Sequence, residues 1–219
     1  MTYPVITNPV TGERGIVRRT PDSSRAPLVA DLYAQPGAAV TGEHIHPHST
    51  EAFTVVRGTL AFRLDGVEQQ AKAGTRVVIP PLTPHDWWNA GPDTAWVILE
   101  VDPGQRFEAM IRNLFGLARD GRTDPKGRPN VLQAAMLARE FDDTIRFTSP
   151  PRAIQRPLFA ALAPLARLCG LRGSYARYLT DSEETVDHLE QLPREIEALI
   201  PSLAIPDDHR TAAPRHHGA

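Results

Sequence analysis

His44-Ile45-His46-Pro47-His48-Ser49-Thr50-Glu51 gathers three imidazoles and a carboxylate into eight residues, and a further imidazole, His85, follows Pro80-Pro81-Leu82-Thr83-Pro84. Neutral imidazole and carboxylate together suit one divalent transition metal ion such as Fe, Mn, Ni, Cu or Zn. In a strand, residues i and i+2 point to the same face, so His44 and His46 can both enter a barrel while Ile45 points away. A turn over Pro47 to Thr50 then lets Glu51 open the next strand, with Phe53 and Val55 behind it on the same face. His85, Trp87 and Asn89 share one face of a later strand. Two histidines, a glutamate and a third histidine from neighbouring strands can therefore close on one point.

Outward from this stretch the chain is β-prone. Between Leu28 and about Pro103, short runs such as L-V-A-D-L-Y, A-A-V-T-G-E-H-I-H, E-A-F-T-V-V-R, T-L-A-F-R-L and T-A-W-V-I-L-E-V are separated by Pro36-Gly37, Gly58, Asp65-Gly66, Gly74 and Gly91-Pro92. Strands at this spacing predict an antiparallel barrel or jelly roll. Asp65-Gly66 is the sharpest hairpin signal, because a type I′ turn needs positive φ at both central positions. Residues 1–26 form a polar, turn-rich lead-in with a short extended piece around Gly15 to Arg19.

After Pro103-Gly104 the period changes: Phe107, Met110, Ile111, Leu114 and Phe115 follow helical spacing from Gln105 to about Ala118. Asn130 can cap a second helix running through Leu132, Met136, Phe141 and Ile145 to Pro150-Pro151. A third helix is expected from near Pro151, broken or kinked at Pro157 and Pro164. An acidic helix is expected over Asp181 to Leu199. The division is thus a β-barrel domain with its lead-in over 1–104, an α-helical extension over 105–205 that serves as a lid or dimer contact, and a disordered tail over 206–219.

The pattern His44-x-His46-x4-Glu51-x6-Gly58, followed by Gly74-x5-Pro80-x4-His85-x3-Asn89, resembles the two sequence motifs of the cupin superfamily. The match spans roughly Gly37 to Asn89. It implies a small β-barrel holding one divalent metal on His44, His46, Glu51 and His85. Two positions depart from the pattern: Ala38 stands where a glycine is expected, with Gly37 one place early, and Leu82 stands where a second glycine is expected. Beyond the barrel, N-P-V-T-G-E and F-G-L-A-R-D-G-R-T-D resemble a group of bacterial cupins with a helical C-terminal extension.

His48, on a turn of a different register, reads as a rim residue rather than a ligand. Phe53, Val55, Trp87 and His48 are the candidates for lining a substrate pocket, Trp88 is expected to face outward, and Asn89 to hold its turn through side-chain hydrogen bonds. The metal's open position favours metal-centred O2 chemistry of the dioxygenase type on a small organic substrate. Non-redox isomerase or cyclase chemistry, or small-molecule binding without catalysis, are the alternatives. No barrel-facing histidine or lysine stands out as a separate base, so acid–base catalysis would fall to Glu51 or to a carboxylate such as Asp31 or Glu100.

A formal charge of −2 over 219 residues gives no electrostatic case for nucleic acid. The longest apolar run, Pro157 to Leu171, is shorter than the roughly 20 residues of a membrane span. The one cysteine, Cys169, cannot form an intrachain disulfide and reads as a small buried hydrophobe. With no apolar leader at the N-terminus, a cytoplasmic protein is expected, and a homodimer on the frequency of symmetric pairs.

Overall fold

The computed structural model describes residues 2–21, 26–40, 42–180 and 184–204. The elements in chain order are β1 (Tyr3–Asn8), β2 (Glu13–Arg19), β3 (Leu28–Ala34), β4 (His44–Ile45), β5 (Thr50–Arg57), β6 (Thr59–Leu64), β7 (Val67–Lys72), β8 (Arg76–Ile79), β9 (His85–Asn89) and β10 (Ala95–Asp102). The remainder comprises α1 (Gln105–Arg119), α2 (Val131–Glu140), β11 (Arg146–Phe147), α3 (Arg152–Leu168), α4 (Ala176–Thr180), β12 (Glu184–Val186), α5 (Arg194–Glu197) and α6 (Pro201–Ala204). Among the described residues these strands form two antiparallel sheets, ordered β12-β1-β2-β3-β10-β5-β8 and β11-β4-β9-β6-β7. This is a jelly roll with helices in its C-terminal part.

Alternation explains the packing. Phe53, Val55, Leu60, Phe62, Val97 and Leu32 point between the sheets and make the barrel core. On the other face of the larger sheet, Val29, Trp96 and Ile98 are covered by Ile196 and Ile200 from the C-terminal segment. The Asp65-Gly66 hairpin forms as expected, with φ of 47° and 79° and Leu64 opposite Val67. Leu82 has φ 66°, the left-handed conformation for which the missing glycine would be suited.

Helix α1 lies across one end of the barrel, where Phe107, Met110 and Phe115 pack against Ile6, Val17 and Leu28. Gly104 permits that approach: a Cβ there would sit 2.3 Å from the backbone nitrogen of Leu28. Asn130 caps α2 as expected, its Oδ1 accepting from Gln133 N at 3.0 Å.

Several local expectations need correction. The lead-in is a full hairpin, with β1 and β2 inside the larger sheet, because Val5-Ile6 and Ile16-Val17 supply it with buried apolar residues. The run from Ala38 to His46 pairs as a regular strand only over His44–Ile45. Helix α2 ends at Glu140, not at Pro150; Phe141 caps it, and the chain then turns to pair β11 with β4. Helix α3 accommodates both Pro157 and Pro164. In place of the expected acidic helix, β12 pairs with β1 and helix resumes only at Arg194. Cys169 is exposed at the C-terminal end of α3. The expected tail over 206–219 lies outside the described residues.

Candidate metal centre

The two sheets bring the four residues together from opposite sides. His44 on β4 is paired with His85 on β9 in the smaller sheet, and His46 follows directly after β4. Glu51 comes from β5 in the larger sheet, between Ile79 of β8 and Val101 of β10. All four side chains are buried, and one ligand atom from each lies within 4.8 Å of the others.

The hydrogen bonds set the imidazole tautomers. Nδ1 of His44 faces the carbonyl of Gly42 at 3.0 Å, Nδ1 of His46 that of Thr144 at 2.7 Å, and Nδ1 of His85 that of Thr83 at 2.8 Å. A carbonyl only accepts, so each Nδ1 carries a proton; Nε2 of each ring in its neutral form then presents a lone pair, and His85 Nε2 donates to Glu51 when that ring is protonated. Nε2 of His46 has no hydrogen-bond partner, although it is buried. It lies 3.5 Å from Glu51 Oε2, and His85 Nε2 lies 3.0 Å from the same oxygen. The Nε2 atoms of the three rings and the Glu51 carboxylate thus converge on one buried point, where the negative charge is balanced either by a proton on His85 or by a metal ion that all four can ligate. The cluster can therefore hold one metal ion.

Titration follows the same logic. Burial, reinforced by the neighbouring imidazoles, pulls the His44 pKa down to about 3. Burial works against the Glu51 carboxylate, but the charges and hydrogen bonds of His46 and His85 outweigh it and leave its pKa below the ordinary value. His85 moves the other way: burial lowers it, yet the hydrogen bond to Glu51 and its charge raise it overall. A proton on His85 occupies the electrostatic place of a cation.

The C-terminal part of the chain helps build this centre. Thr144 supplies the carbonyl that orients His46, Phe107 of α1 packs on the His46 ring with centroids 5.4 Å apart, and Phe147 of β11 packs on His44 at 6.2 Å. Nothing in the sequence pattern signalled these contacts, because they link positions about 60 to 100 residues apart.

A cavity of about 460 Å³ adjoins the centre, running between the barrel and helices α1, α2 and α3. Phe53 and Trp87 are on its wall. Val55 and His48 are not: Val55 is buried deeper among Leu60 and Phe62, and His48 is exposed on the turn after β4. Trp88 is partly buried, with Arg63 over its ring, and Asn89 holds its turn through bonds to Ala34 O, Asp93 O and Gly91 N.

The fallback acids are misplaced for catalysis. Asp31 shares the outer face of β3 with Val29 and Tyr33 and is bound by Arg18 and Trp96, and Glu100 is held on the outer face of β10 by Arg76. Glu13 was missed. It shares the inward face of β2 with Val17, lines the cavity, and burial pushes its pKa up to about 7. The alternation Glu13-x-Gly15-x-Val17 was the available signal.

A two-sheet barrel closed around a buried three-histidine, one-glutamate cluster is the architecture of a metal-type jelly roll. Residues 32–102 match the family model described as Cupin domain, and over this region the chain is a cupin. Among solved structures it is similar to KdgF from Halomonas sp. (22% identity, covering 42% of this chain and 80% of that one, TM-score 0.37). It is also similar to an uncharacterized conserved protein with a double-stranded β-helix domain from Klebsiella pneumoniae (27%, 40% and 70%, 0.36). A third is Pac13 of Streptomyces, a nucleoside dehydratase (20%, 46% and 76%, 0.38). A comparison with curated proteins gave no match. No helix among the described residues is long and apolar enough to cross a membrane.

Proposed function

We propose that the protein is a metal-dependent oxidoreductase of the dioxygenase type, acting on a small organic substrate beside a metal held by His44, His46, Glu51 and His85. The observation that carries this reading is the convergence of the three Nε2 atoms on Glu51, each ring fixed by a backbone carbonyl behind it, with His46 Nε2 left without a hydrogen-bond partner. A redox-active ion with an open position would supply O2 activation there, whereas a Lewis-acidic one would polarise a carbonyl. The protein's own part is to fix the three rings, to keep Glu51 ionised, and to exclude water with Phe107 and Phe147. Nothing in this requires a titrating side chain for proton transfer.

Glu13 favours a second reading, a non-redox isomerase or cyclase. A carboxyl held protonated near neutrality can donate a proton to a substrate in the same cavity.

Elemental analysis of untagged protein tests the shared premise. About one transition metal ion per chain is expected, lost in His46→Ala; a chain that stays metal-free after refolding with Fe, Mn, Ni, Cu or Zn refutes it. O2 uptake with turned-over substrate separates the readings, and turnover without O2 that fails in Glu13→Gln favours the second. The expected homodimer would be sought on Leu158, Leu165 and Leu168, which α3 leaves exposed, and sedimentation checks it.

A further inference from the structure

The cavity wall is mostly apolar, with Asn8 and Glu13 on the β1–β2 side and a cluster of arginines at its mouth. Its body is made by residues such as Phe53, Leu99, Val17, Met110, Leu114 and Phe115, from both the barrel and α1. The lining residues that reach solvent are Phe147, Arg139, Arg152 and Arg156, so the cavity opens between the end of α2 and the β11–α3 turn. Arg146, half-buried on β11, joins them there. Asp142 is the acid of this rim, and it is already bound by Arg152 at 2.8 Å and Arg146 at 3.2 Å. Four guanidinium groups against one carboxylate leave three positive charges at the mouth. Among the described residues Arg139 and Arg156 have no acidic partner.

The metal centre lies close to this end, because Arg146 and Phe147 are opposite Ile45 and His44 in the β11–β4 pair. A volume of about 460 Å³ is within the range that encloses a small ligand, roughly 300–1,000 Å³. A basic rim over low-dielectric walls concentrates anions, and the guanidinium fork suits a carboxylate or phosphate.

We infer that the cavity takes a single-chain anionic amphiphile, its carboxylate or phosphate on Arg139 and Arg156 and its hydrocarbon body inside, so that the carbons next to the head group pass the metal centre. This names a substrate class for the reading above and rests on it for the role of the metal. The recognition itself is the work of the arginines and the apolar wall.

The test is calorimetric titration of metal-loaded and chelator-stripped protein with decanoate, hexanoate, decanol and decyltrimethylammonium, all below their micelle concentrations. Decanoate is expected to bind best, at least tenfold tighter than hexanoate, since each buried methylene is worth up to about fourfold. The double variant Arg139→Glu/Arg156→Glu should lose about tenfold or more for decanoate and gain for decyltrimethylammonium, while decanol is unchanged. Both side chains are exposed, and an unchanged melting temperature would show that the variant folds. A decanoate preference that survives charge reversal, or that disappears when the metal is stripped from the wild type, overturns the inference by placing the head group on the metal. So does binding of none of the probes, or binding only to phosphatidylglycerol vesicles. Metal content is measured separately, so loss of the metal reading leaves the amphiphile result to be judged alone.

Discussion

Glu13→Gln is expected to change stability little at pH 5 and to raise it at pH 8. Glu13 sits on the inward face of β2, opposite Asn8 and Ala34, and its carboxylate accepts from Thr11 Oγ1 at 2.5 Å. Burial raises its pKa from 4.5 to about 7, and the Thr11 hydrogen bond offsets this only in part. The unfolded chain releases the proton near 4.5 while the folded protein keeps it to about 7. Folding in that window takes up a proton, so this residue's contribution to stability falls as pH rises from 4.5 to 7 and stays low above. The gap between 4.5 and about 7 corresponds, at about 1.4 kcal/mol per pH unit, to about 3–4 kcal/mol as an upper bound. Glu13 is partly exposed, so solvent screening reduces the expected effect to about 1–2 kcal/mol. Glutamine keeps the shape and removes the charge. For a chain of this size, 1 kcal/mol moves the melting temperature by about 2–4 °C, so the variant should melt about 2–8 °C above wild type at pH 8 and near it at pH 5. The assay is thermal unfolding of both proteins from pH 5 to 8.5, read as the difference between them, in which titrations common to both cancel. Parallel profiles across the range would refute the account of Glu13 as a desolvated carboxyl.

Leu82→Gly is expected to stabilise the protein by up to about 1 kcal/mol, since a left-handed non-glycine residue costs about 1–2 kcal/mol and glycine's added chain entropy returns about half of that. The side chain is 59% exposed and loses little burial, and a lower urea midpoint in the variant would contradict this. Arg18→Ala should cost about 3–5 kcal/mol at pH 7, because it strips both 2.8 Å bonds from the buried Asp31 carboxylate and leaves only Trp96 Nε1 at 2.7 Å. Burial already raises the Asp31 pKa, so part of the loss should be recovered at pH 5 as the carboxyl takes up a proton; a small, pH-independent loss would show that the pair is not buried in solution.

The four candidate ligands and the hairpin at Asp65-Gly66 were legible because both depend on local rules. Period-2 alternation selects His44 and His46 over His48, and a type I′ turn has its own residue requirements. What escaped depends on which distant segment covers a given face. Alternation places Asp31 and Glu100 on one side of the larger sheet but cannot say which side is the interior; Ile196 and Ile200, about 100 residues later or more, decide that by covering Val29, Trp96 and Ile98. The same long-range covering turned the polar lead-in into β1 and β2 and thereby brought Glu13 into the cavity. Helical period likewise carried α2 past its end, because Phe141 and Ile145 continue the apolar spacing while packing as a turn beneath α1. That turn is where the fold and the site meet. Had α2 continued to Pro150 as the spacing suggests, Thr144 O would have been spent on a helical hydrogen bond, and His46 would have lacked the acceptor that turns its Nε2 toward Glu51. The break after Glu140 is therefore a condition for the metal centre, and it follows from the pairing of Arg146 and Phe147 with β4.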